Sequence, residues 1–109
     1  MTGALDRCAS LHVLYVLVRG IGPSLSNSGV PDALEDPTLE LHDSNGALLA
    51  TNDNWRDTRQ PEIEAAGLAP TNDLESAILQ DLLFGGYTAI VRGQNDTTGV
   101  ALVEMYALP

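Results

Sequence analysis

The stretch TLELHDSNGALLAT, residues 38–51, decides the fold class of this chain. Leu39 and Leu41 alternate with Thr38, Glu40 and His42, the period of two that marks a strand with one buried face. Ser44, Asn45 and Gly46 then supply a tight turn, because Asn and Gly tolerate the positive φ that short hairpins require. Residues 47–51, ALLAT, return as the second strand.

The flanking sequence extends the β pattern. Upstream, LHVLYVLVR at 11–19 is apolar on both faces, as expected of a central strand covered on two sides. Arg7 ahead of this run superficially suggests a secretory leader. His12 interrupts it, however, Arg19 closes it and no small-residue cleavage site follows, so a core strand is expected and no signal peptide. The run is also too short to span a bilayer as a helix. Residues 20–37, GIGPSLSNSGVPDALEDP, hold three Gly, three Pro and three Ser and predict a long structured loop.

Downstream the alternation lapses from Asn52 to Asn72, apart from PEIEAAG, where Pro61 and Gly67 bracket one helical turn. LESAILQ at 74–80 fits a strand or a helix. The strand is preferred because DLLFGG follows as a turn into GYTAIVRG, with Tyr87, Ala89 and Val91 on one face. QNDTTG at 94–99 predicts a second tight turn, and VALVEMYAL closes the chain as a last strand. Successive strands without intervening helices, and one long loop region with at most a short helical turn, predict an all-β antiparallel β-sandwich.

The 109 residues make one domain with an aliphatic core, since aromatics are only 5%. Such a core needs no cofactor to fill it. Fifteen acidic residues face five arginines and no lysine, for a net charge of −10. This surface repels phosphate backbones and anionic membranes, and favours cations and partners with basic patches. Cys8 is alone, so an internal disulfide is excluded; a free thiol and an intermolecular bridge both remain.

In order, VLVRGIGPSLSNSGV, DPTLELHDSNGALLATNDNW, DLESAIL and GGYTAIVRGQNDTTGVALVEMYAL resemble a β-sandwich module that recurs in large secreted or cell-surface bacterial proteins. That module runs as an RAxGPSL segment, a DPxLxL hairpin, an NDxW loop and a GxYTAxVxG hairpin ending in LVEVY. The resemblance covers residues 16–108. The hairpin pair is more loosely similar to the pre-peptidase C-terminal domains that accompany secreted proteases. What the resemblance implies is a jelly-roll-like accessory module with no catalytic residues to carry over. It would serve adhesion, surface attachment or substrate targeting on a protein or carbohydrate surface, outside the cell, as part of a larger parent. Members of the looser group bind Ca²⁺ through acidic loops. Residues 1–12, MTGALDRCASLH, do not resemble module sequence, which sets an atypical N-terminal segment 1–12 apart from a sandwich domain 13–109.

Candidate sites follow from residue types. The loops around residues 47–51 offer oxygen ligands for Ca²⁺ from Asp43, Asn52, Asp53 and Asp57, beside Asn45 and Asn54. Five strand residues span about 16 Å, so a site centred on Asp53 and Asp57 competes with solvated turn carboxylates as the explanation. Trp55 is either a stacking platform for a carbohydrate or a clamp holding its loop to the sandwich. Arg56 and Arg59 are expected as ion-paired scaffolding. A small hydrolase is the alternative function: Ser24, Ser26 and Ser28 could pair with His12 or His42, although no serine lies in a G-x-S-x-G elbow. Gly20 and Gly22 lack the third Gly and the Lys of phosphate loops, and a sharp reversal explains them better. Open sheet edges make a homo-oligomer a further expectation.

Overall fold

The computed structural model describes residues 13–83 and 85–108. Six strands form two three-stranded antiparallel sheets. They are β1 (Val13–Ile21), β2 (Pro37–Asp43), β3 (Leu48–Asn52), β4 (Ser76–Leu83), β5 (Tyr87–Gly93) and β6 (Leu102–Leu108). The first sheet has the order β4-β1-β6, and the second β3-β2-β5. The expected all-β class holds, and the two sheets meet through one apolar cluster. The atypical segment 1–12, with Cys8 and His12, lies outside the described residues.

The alternation of β2 fixes how the sheets stack. Leu39 and Leu41 are fully buried against Val16 and Val18 of β1 and Ile78 and Leu82 of β4, with Ala50, Tyr87, Ala89 and Val91 packed at the margin. Each fully buried aliphatic side chain contributes about 1.5–3 kcal/mol relative to exposure. β1 is apolar on both faces because it is buried on both. Leu17, pointing the other way, meets Ala77, Leu79, Trp55 and Ile63 in a second cluster. That outer layer is supplied by the β3–β4 connection, which carries a 3₁₀ turn (Trp55–Asp57) and the helix α1 (Gln60–Ala65) across the back of the first sheet. Helix α1 has Pro in its first turn, as PEIEAAG predicts, and Gly67 beyond it takes φ +75°.

Three local expectations need correction. DLLFGG is not all turn: β4 runs on to Leu83, since Leu82 is buried and residues 81–83 pair with Tyr15, Leu14 and Val13. QNDTTG is not a hairpin turn either. β5 pairs with β2 and β6 with β1, so residues 94–101 cross from one sheet to the other, with Asn95 and Asp96 in left-handed conformation. Finally, the sharp reversal expected at Gly20 and Gly22 does not draw on a positive φ: Gly22 has φ −136°, and Gly20 lies inside β1. Gly22 is needed for closeness, since a Cβ there would lie 2.1 Å from the Leu34 carbonyl oxygen. The chain then enters a 3₁₀ helix, Pro23–Ser28, within what composition marks as loop.

Among the described residues no helix is long and apolar enough to cross a membrane.

Candidate functional site

All three strands of the second sheet finish at one end with polar residues. Asp36 precedes β2, Asp53 follows β3, and Gln94 follows β5. The register places them side by side, with Leu39 opposite Asn52 and Pro37 opposite Gly93. The Gln94 amide N–H donates to the Asp36 carbonyl at 2.9 Å, and Gln94 Nε2 donates to Asp53 Oδ2 at 3.2 Å. Asp36 Oδ1, Asp53 Oδ1 and the neighbouring Asn54 Oδ1 are all buried with no hydrogen-bond partner. Burial, then the hydrogen bond to Asp53 and that group's charge, push the Asp36 carboxyl above the ordinary aspartate value. Two carboxyls held together with acceptor oxygens to spare can share a proton or bind a hard cation.

The four residues expected to ligate metal are dispersed. Asp43 sits at the opposite end of the hairpin, where its Oδ1 accepts the N–H groups of Asn45 and Ala47, both at 2.9 Å, closing the turn. Asn52 is buried; its Oδ1 accepts the Ala77 N–H at 2.9 Å while its Nδ2 donates to the Asn54 carbonyl at 3.0 Å. It ties β3 to β4 across the two sheets. Asp57 is exposed on the 3₁₀ turn. Only Asp53 belongs to the cluster. Among the described residues no three His, Cys, Asp or Glu side chains converge as metal ligands, so further oxygens at this end would come from amides, backbone or water.

Trp55 is 2% exposed. A stacking platform needs an open ring face, and this ring is spent inside the outer cluster, with the Arg56 guanidinium 4.4 Å above it. Arg56 also pairs with Asp73 at 2.7 Å, and Arg59 donates to the Leu79 carbonyl and Tyr15 hydroxyl. Both arginines are scaffolding, as their acidic surroundings predict.

Ser24, Ser26 and His42 have other employment. Ser24 Oγ donates to Glu75 and Ser26 Oγ to the Pro23 carbonyl. His42 holds Glu40 Oε1 at 2.9 Å through Nε2 and the Gly46 carbonyl at 3.2 Å through Nδ1. Among the described residues, the groove lined by Pro23, Ser26, Val30, Pro31, Glu35 and Leu74 therefore holds no histidine beside its serine.

Asp36, Gln94 and Glu75 escape the sequence analysis. Asp36 carries one signal, an acid directly before the proline that opens β2. Glu75 carries another, an acid inside the apolar run LESAIL. Comparison with protein-family models, curated proteins and solved structures finds no match for the chain.

Proposed function

We propose that the chain is a non-catalytic accessory module of a secreted bacterial protein, built as a jelly-roll-like sandwich and serving adhesion, surface attachment or substrate targeting. One observation carries this reading: the residues of the module-like pattern tie strands and loops of the fold to one another. Gly22 and Ser24 of GPSL bind Glu75, Asn52 of NDNW binds Ala77, and Trp55 fills the outer cluster. Panels of immobilised glycans and surface proteins test it against generic ester, glycoside and peptide substrates. Binding without turnover is expected, whereas turnover lost in Ser24→Ala or His42→Ala overturns it in favour of a hydrolase.

The same reading assigns Ca²⁺ to the end formed by Asp36, Asp53 and Asn54. The fit rests on their three buried, unpartnered oxygens and on the crowding of two carboxyls that a divalent ion relieves. Thermal unfolding with millimolar Ca²⁺ against excess EDTA tests it, because a ligand of the native state raises stability with its occupancy. The expected shift of several degrees disappears in Asp53→Asn and persists in Asp43→Asn. No shift in the wild type removes the ion from the reading.

A further inference from the structure

The inner face of the first sheet is covered at one edge and bare at the other. On β4 this face presents Ile78 and Leu82, each 5% exposed. On β6 the same face presents Val103, Met105 and Ala107, which stand opposite Gly20, Val18 and Val16 of β1. Val103 is 42% and Met105 51% exposed, and Leu14, next along this face, is 53% exposed. Among the described residues no strand pairs with the outer edge of β6. An apolar strip beside a row of unpaired backbone groups is a surface built to receive another strand.

We infer that β6 pairs antiparallel with β6 of a second copy of this chain about a two-fold axis at Met105, joining the two β4-β1-β6 sheets into one. The strand sequence is what selects a copy of itself. A two-fold axis normal to the sheet keeps inner face beside inner face, so each residue must meet one of its own parity. Centred on Met105, the register sets Met105 against Met105 of the partner subunit and Val103 against Ala107 of the partner subunit. On the other face Leu102 meets Leu108 of the partner subunit. Glu104, the only charged residue of β6, then meets Tyr106 of the partner subunit and not its own copy. Glu104 is already neutralised by Arg19, which bonds its Oε1 through Nε and Nη2. The seam is thus free of net charge on a chain that carries −10 overall, and closed two-fold pairing is the commonest form of self-association. Centring on Glu104 would set two carboxylates face to face, which cross-strand pairing disfavours.

The inference rests on the sheets alone and is independent of the accessory-module reading and its ion. Sedimentation equilibrium of the full chain tests it in EDTA. A dimer is expected, converted to monomer by Met105→Glu and left intact by Leu49→Glu on the exposed edge strand β3. Crosslinking fixes the register in a Cys8→Ser background. Oxidised Met105→Cys yields a covalent dimer, whereas Val103→Cys yields one only when combined with Ala107→Cys. A monomeric wild type overturns the proposal, including the case where residues 1–12 or another protein's strand occupy the edge. So does a dimer that survives Met105→Glu, or a crosslink from Val103→Cys alone.

Discussion

Ser24 and Glu75, 51 residues apart in sequence, are joined twice. The Ser24 amide donates to Glu75 Oε2 at 2.8 Å and its hydroxyl donates to the same oxygen at 2.6 Å. The Gly22 amide adds a third bond at 3.0 Å, and Glu75 is fully buried. This carboxyl gathers the start of the 3₁₀ helix onto the start of β4. Its backbone carbonyl also accepts the Trp55 N–H, so one residue fastens both loops that cap this end.

Removing the acceptor leaves three donors, one buried and two part-buried, without this partner. Glu75→Ala is expected to cost about 2–4 kcal/mol and Ser24→Ala about 1–2 kcal/mol, read from urea midpoints. Ser76, next in the chain, is the internal control. Its Oγ is buried with no partner, so Ser76→Ala is expected to leave stability unchanged or raise it. Equal losses at Ser24 and Ser76 would contradict the assignment.

Gly22 and Gly29 separate two uses of glycine. A Cβ at Gly22 would meet the Leu34 carbonyl oxygen at 2.1 Å, whereas one at Gly29 meets nothing within 4 Å and suffers only from its φ of +84°. Gly22→Ala must push apart two buried backbone segments, which costs about 1–3 kcal/mol or more. Gly29→Ala carries only the left-handed penalty of about 1–2 kcal/mol. Thermal melts of both variants should rank Gly22→Ala as the less stable.

Asp36 predicts an unusual pH dependence. Its folded pKa is raised, so the native state keeps this proton to higher pH than the unfolded chain does. The contribution is therefore present below the unfolded aspartate value of about 4 and is lost as pH rises through the folded value. In EDTA, Asp36→Asn should be more stable than wild type at pH 7, and the difference should shrink as pH falls towards 4. A difference that grows on acidification would refute the carboxyl pair.

His42 titrates in the opposite sense to its partner. Its hydrogen bonds to Glu40 and to the Gly46 carbonyl raise its pKa, while the same contact lowers that of Glu40. Both ring nitrogens face acceptors, which only the doubly protonated ring satisfies fully. His42's share of the stabilisation is present below the unfolded histidine value and lost as pH rises through the raised folded one, while Glu40's share is lost as pH falls through its lowered value. NMR titration should place His42 above the ordinary histidine range, and Glu40→Gln should bring it down. An unchanged titration in Glu40→Gln would remove the contact as the cause.

The local patterns were enough for the elements. The alternation of TLELHD placed Leu39 and Leu41 inside, and the two-faced apolarity of LHVLYVLVR marked β1 as the central strand it is, because burial on both sides leaves no polar face to write. Turn chemistry at Ser44, Asn45 and Gly46 was equally legible, being settled within a few residues. What tertiary structure alone decided was which strands share a sheet. QNDTTG looks like a hairpin turn, yet β5 and β6 part to different sheets, because strand pairing is chosen by long-range burial that a six-residue turn does not encode. The same holds for the candidate site. Asp36, Asp53 and Gln94 lie 17 and 41 residues apart and become neighbours only because β3, β2 and β5 end together. The loop after the hairpin advertised its oxygen ligands around Asp53. The carboxyl that answers Asp53 came from the far side of the hairpin, where the sequence shows only an acid before a proline.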